Sequence, residues 1–157
     1  MKIALLLTGK TTDAYVTEGI GLYSARIRKY ASFEILTIPD LKNTRNMPVS
    51  EQKAKEGRKI MEAVGKDDIM VLLDEKGNEL RTVEFAGWIR KQSMMTGKRI
   101  LFVIGGPWGV SDEVHTAAAT RISLSRMTFP HQLVRILFME QLYRAFTIIK
   151  GEPYHHE

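Results

Sequence analysis

Apolar residues in this chain come in short unbroken runs, separated by amphipathic stretches. Ile3-Ala4-Leu5-Leu6-Leu7 is continuous rather than alternating and is stopped by Thr8-Gly9, which predicts a strand buried on both faces. Between Asp13 and Tyr30, the residues Val16, Ile20, Tyr23, Ile27 and Tyr30 recur at three and four positions and define one face of a helix. Phe33 to Ile38 predicts a second strand, closed by Pro39-Asp40. Leu41 to Val49 is polar and carries Pro48, so an exposed loop is expected, with Ser50 capping a lysine-rich helix to Val64. Ile69 to Leu73 predicts a third strand and Thr82 to Met95 a third helix. Arg99 to Ile104 predicts a fourth strand, ended by Gly105-Gly106-Pro107. Ser111-Asp112-Glu113 opens a helix through Ala119, Ile122-Ser123-Leu124 forms a short fifth strand, and Pro130 opens a long helix to about Ile149.

That repetition predicts an α/β fold with a mainly parallel sheet and helices on both faces. In such sheets ligands bind beyond the carboxyl ends of the strands, here the loops after Leu7, Leu73, Ile104 and Leu124. At 157 residues, with no internal repeat or linker, the chain is expected to form one domain.

Composition narrows the chemistry. Hydrophobic residues make up 44% and charged residues 26%, enough to bury a core. With no cysteine, a disulfide scaffold, a thiolate metal site and a cysteine nucleophile are excluded. The longest apolar runs are about five residues, against the ~20 that cross a bilayer, and no signal peptide is recognised, so a cytoplasmic protein is expected. The net charge of +5 modestly favours an anionic partner. Its distribution says more: residues 1–66 hold 12 basic and 7 acidic groups, whereas residues 99–157 hold 6 and 5.

Four stretches carry candidate chemistry. Gly9-Lys10-Thr11 after the first strand, with Asp74-Glu75 after the third, suggests a triphosphate loop; the glycine needed five positions earlier is Ala4, so an ordinary turn explains it better. Gly105-Gly106-Pro107-Trp108-Gly109 allows close backbone approach to a ligand, or simply makes a tight strand–helix turn. Leu124 to His131 either wraps an uncharged ring or caps the following helix. The last helix is apolar on most faces, which places it centrally or at a subunit interface. On it, Glu140 and Arg144 either pair with each other at i,i+4 or aim the arginine into a site. The tail histidines lack a third ligand at helical spacing, so no metal is expected, and His115 receives no role.

Taken in order, Ile104 to Gly109, Leu124 to Arg135, Glu140 to Ala145 and Pro153-Tyr154-His155 resemble the small SPOUT-family ribosomal RNA methyltransferases of type H. The resemblance covers the whole chain in length and element order, including the Met1-to-Gly9 start and Glu56-Gly57. It implies methylation of N3 of a pseudouridine in large-subunit (23S) ribosomal RNA, on the assembled ribosome or subunit. It also implies a homodimer that uses S-adenosyl-L-methionine and no metal. Where the residues alone favour an unknotted sheet, the resemblance implies a C-terminal trefoil knot within the single domain 1–157, at about residues 99–157. The matching cofactor positions are Leu73, Gly105, Leu124, Ser125, Arg126, Met127, Thr128 and Phe129. Arg144 matches a residue that orients the base, with Tyr154 and His155 closing over the site; imidazole is the side chain in this set that titrates near neutrality. His131 and Arg135 either join the site or position the helix. Trp108 packs or stacks, and His156 has no assigned role. In a dimer, the basic N-terminal surface of one subunit is expected to hold phosphates for the other's site.

Overall fold

The computed structural model describes residues 1–157. β1 (Lys2–Thr8), β2 (Ser32–Ile38), β3 (Ile69–Glu79), β4 (Ile100–Ile104) and β5 (Thr120–Ser123) form one parallel sheet in the order β2-β1-β4-β3-β5. The helices are α1 (Ala14–Ile27), α2 (Val49–Ala63), α3 (Thr82–Met95), α4 (Asp112–Ala117) and α5 (Leu133–Ile149). The unbroken apolar runs are the central strands. Alternate residues face opposite sides, so both faces of β1 and β4 need cover. Ile3, Leu5, Leu7, Phe102 and Ile104 join a core with residues of α1, α3 and α5. Ala4, Leu6, Leu101 and Val103 face a smaller core built with Ile60 of α2 and Val114 of α4. The expected α/β class, parallel sheet and helices on both faces are therefore present.

Several boundaries differ from the sequence reading, with α1 ending at Ile27 and α4 at Ala117, and four have a local reason. Pro48, not Ser50, stands before α2: its φ of −56° suits a helix start, its carbonyl accepts from Gln52 N at 3.0 Å, and no side chain caps this end. β3 runs on to Glu79, with its register against β5 broken between Leu73 and Asn78. Those added residues are polar because they project past the core, so an apolar pattern ends too early. β5 begins at Thr120 and stops at Ser123, one residue short of Leu124. α5 begins at Leu133, where Val134 N already bonds the carbonyl of Pro130 at 3.1 Å.

α5 is central, covered by α1 on one side and α3 on the other. Gly19 of α1 allows this closeness, since a Cβ there would lie 2.9 Å from Ile136 Cδ1. The segment from β5 to α5 crosses from the sheet edge to β1. Gln132 accepts from Thr12 N at 2.9 Å and donates to Lys10 O at 3.2 Å, and Arg135 donates to Thr11 Oγ1 and to Thr8 O. At the opposite end of the strands, Asp68 before β3 pairs with Arg99 before β4 at 2.6 Å, and Arg99 reaches Glu34 of β2 at 2.8 Å.

Candidate functional site

Where the strands end, three loops and α4 enclose a cleft of about 990 Å³. The loop after β4 folds back on itself: Gly109 N donates to Gly106 O at 3.0 Å around Pro107 and Trp108, and Gly109 takes a φ of +84°. Gly105 is small because Val110 Cγ1 would sit 2.6 Å from any Cβ there. This segment is therefore a tight turn and also a wall of the cleft. Leu73, Gly105 and every residue of 124–129 except Arg126 line the same space. Within that run, Ser123 Oγ donates to Ser125 O at 2.9 Å and Met127 N donates to Ser125 Oγ at 3.0 Å, so Ser125 shapes the bend. Arg126 turns away, with its side chain 83% exposed and Glu79 at 3.0 Å.

The opposite wall sets acidic groups against basic ones. Asp74 Oδ2 lies 3.5 Å from Arg121 Nη1 and 3.7 Å from His115 Nδ1, and Glu75 Oε2 accepts from Thr128 Oγ1 at 3.1 Å. His115, given no role from the sequence, therefore lines the cleft, as do Asp112 and His131. Its short helix carries too few residues to show a face; the signal that was available is Asp74-Glu75 placed directly after an apolar strand.

Arg144, Tyr154 and His155 meet each other, apart from that cleft. Arg144 donates through Nε and Nη2 to Glu140 Oε1 at 2.9 and 2.6 Å, its guanidinium carbon stands 4.6 Å from the Tyr154 ring centre, and Nη1 lies 3.4 Å from His155 Nδ1. Tyr154 OH donates to the same Glu140 Oε1 at 3.2 Å, and its ring meets Tyr143 edge-on at 4.8 Å. The Glu140 bonds raise the Arg144 pKa, so its charge is permanent. Burial, then the Glu140 charge, pushes the Tyr154 phenol up to about 12. A phenol held there stays protonated and donates; it is no base. The i,i+4 pairing of Glu140 with Arg144 is therefore real, and it also fixes where Arg144 faces the tail.

The turn at Gly9 holds no triphosphate. Gly9 N is used by Ile38 O at 2.8 Å and Lys10 N by the Asp40 carboxylate at 3.1 Å, so a phosphate approaching this loop meets a negative charge.

A family model described as "Predicted SPOUT methyltransferase" matches residues 1–155. The chain belongs to the SPOUT methyltransferase family. Ribosomal RNA large subunit methyltransferase H of Parabacteroides distasonis is 48% identical over 157 residues, with both chains covered completely. The protein of the same name from Christiangramia forsetii is 51% identical, with 99% of each chain covered. Among solved structures, a probable methylase family protein from Haemophilus influenzae superposes with a TM-score of 0.51 at 12% identity, covering 95% of this chain and 66% of that one, a likeness of fold. No helix of this SPOUT chain is long and apolar enough to cross a membrane, and no three His, Asp or Glu side chains converge as around a metal ion.

Proposed function

We propose that this protein is an S-adenosyl-L-methionine-dependent methyltransferase acting on N3 of a pseudouridine in large-subunit ribosomal RNA, in the cytoplasm, as a homodimer. The observation that carries the reading is the cleft itself. Leu73, the Gly105 turn and the 124–129 run converge on one space at the strand ends, in a SPOUT chain whose full-length relatives are named for ribosomal RNA methylation. The donor set fits the cofactor. S-adenosylmethionine carries a sulfonium, an ammonium and a carboxylate, and the cleft offers both signs of charge: Asp74, Glu75 and Asp112 beside Lys76 and Arg121, with apolar groups such as Leu73 and Phe129 between them. In this reading residues 124–132 complete the trefoil knot, and their bonds to the β1 loop keep it closed.

When bound, the cofactor supplies an electrophilic methyl group on sulfur. The chain's residues have to hold the base in line and stabilise charge as N3 loses its proton. Arg144, permanently cationic, is placed to orient a uracil-type ring and to stabilise charge on its carbonyl oxygens. Tyr154 donates a hydrogen bond, and His155, beside Arg144, supplies the imidazole. Because this trio stands outside the cofactor cleft of its own chain, the dimer gives it a task at the site. Near the trio, Arg26 lies 5.4 Å from the Tyr143 ring and suits a phosphate, whereas Lys53, Arg58 and Lys59 belong to α2 on the opposite face of the sheet. In this reading the substrate is the assembled ribosome or its large subunit.

Mass spectrometry of ribosomal RNA nucleosides from cells lacking the protein tests this directly. A methylpseudouridine absent from the deletion strain and restored by complementation is expected. An unchanged nucleoside profile, or calorimetric binding of ATP without S-adenosylmethionine, overturns the reading.

A further inference from the structure

The cleft at the strand ends has a sheltered part and an open rim. Leu73, Gly105, Leu124 and Phe129 line it and are partly buried. Trp108 and Met127 line it too, yet Trp108 is 56% exposed and Met127 74%. The volume of about 990 Å³ stands at the top of the ~300–1,000 Å³ range of small-molecule sites, which leaves room for a second ring beside a cofactor.

The chain has two tryptophans, and their surroundings are opposite. Trp88 packs among core rings, 6.2 Å from Phe102 and 6.5 Å from Phe85. Trp108 belongs to neither hydrophobic core. An indole left half in water contributes little to the fold, so core packing does not account for it.

The support beneath Trp108 is rigid. Gly109 N donates to Gly106 O across the turn, and Pro107 fixes the backbone just before the tryptophan. Behind the turn stands α2, since a Cβ on Gly106 would lie 2.6 Å from Glu56 Oε2. The turn is thus seated on α2 and carries the indole at its exposed tip. A side chain held in this way loses little freedom when a ligand binds to it.

We propose that Trp108 is the platform on which the target base stacks at the mouth of the cofactor cleft. Enzymes that modify a base draw it out of its stack, and aromatic side chains then hold the freed ring by its face. Stacking leaves the whole edge of the ring free. N3 can therefore point into the cleft, towards the methyl donor, while the flanking carbonyl oxygens stay open to the Arg144 cluster of the second subunit. The sheltered part keeps the cofactor and the rim keeps the base. This inference rests on the proposed methyltransferase reading and adds the side chain that holds the base.

Three variants test it on ribosomes purified from cells lacking the protein. Trp108→Ala removes the ring, Trp108→Phe keeps an aromatic face, and Trp108→Leu keeps apolar bulk without one. With circular dichroism confirming the fold, calorimetry should show all three binding S-adenosylhomocysteine within about threefold of wild type. In single turnover at saturating ribosomes, Trp108→Ala and Trp108→Leu should transfer the methyl group about tenfold more slowly, and Trp108→Phe within about threefold of wild type. Ribosome affinity should hold within about threefold, because phosphate contacts elsewhere position the substrate. Cofactor affinity falling in step with the rate would put Trp108 on the cofactor, and overturns the proposal. So does Trp108→Leu matching Trp108→Phe, or an unchanged rate in Trp108→Ala. Lost ribosome affinity with an unchanged saturated rate overturns it as well, by placing the contact on a different nucleotide. A wild-type protein that transfers no methyl group to these ribosomes overturns the underlying reading along with it.

Discussion

Arg135 Nη2 donates to the carbonyl of Thr8 at 3.0 Å, joining the first turn of α5 to the end of β1, 127 residues earlier. The Arg135 side chain is 1% exposed, and its second contact is the neutral Thr11 hydroxyl at 2.6 Å. Burial lowers its pKa, opposed by the charge of Asp40. A buried cation answered mainly by neutral oxygens is costly, and it persists because it secures the crossing segment to the first strand. Arg135→Ala leaves the Thr8 carbonyl buried without this donor and opens a hole, so a loss of about 2–4 kcal/mol is expected. Urea unfolding reads it directly, and an unmoved midpoint would show that the contact contributes nothing.

Arg144→Ala should abolish methyl transfer to ribosomes while S-adenosylmethionine affinity stays within a few-fold, because Arg144 lies outside the cofactor cleft. Calorimetry and radiolabel transfer, run on the same preparation, separate the two. Parallel loss of both would make Arg144 a structural residue of α5.

Removing 153–157 takes away Tyr154, its edge-on contact with Tyr143 at 4.8 Å and its bond to Glu140. The bond from Tyr30 to Glu152 at 2.7 Å stays. Turnover should therefore fall much further than the melting temperature, which should drop by only a few degrees. An unaltered rate in the truncated protein dismisses a role for the tail.

Asp68 is held below the ordinary carboxylate range chiefly by its hydrogen bonds from Arg99. Unfolding raises its pKa, so the unfolded chain binds the extra proton as pH falls. The stability from this pair is present above about pH 4 and is lost as pH drops through the folded value. Asp68→Asn should cost about 1–3 kcal/mol at pH 7 and progressively less towards pH 2. Denaturation series at several pH values check this; a difference independent of pH would rule out the pair as its source.

Gly77 lies where β3 resumes beside β5, and a Cβ there would stand 2.7 Å from the backbone carbon of Arg121. Backbone cannot rotate aside as a side chain can. Gly77→Ala should push β5 outward, lower stability by about 1–3 kcal/mol and weaken S-adenosylmethionine binding, since Arg121 and Leu124 line the cleft. Calorimetry showing native affinity would mean that the strands absorb the methyl group locally.

Much of this protein follows from local pattern. Unbroken runs such as Ile3–Leu7 and Ile100–Ile104 read as strands covered on both faces, because they are too short for a core helix, are stopped by glycines, and lack the alternation of a half-exposed strand. α3 was legible to the residue, Thr82 to Met95, because its apolar spacing and its flanking breaks agree. The glycine turn and the stretch from Leu124 to His131 stand out by composition, and the narrower 124–129 run follows from the resemblance to the family. What local pattern does not contain is distance between elements. That His115 lines the cleft, that Arg126 points out of it and pairs with Glu79, and that Glu140 faces a cavity on one side and Arg144 on the other are all set by packing. The polar end of β3 escaped notice for the same reason: beyond the core no hydrophobic signal exists, and the partner that makes Asn78 and Glu79 a strand is β5, more than 40 residues away. Burial writes itself into sequence as hydrophobicity, whereas the meeting of polar groups depends on which surfaces the fold brings together.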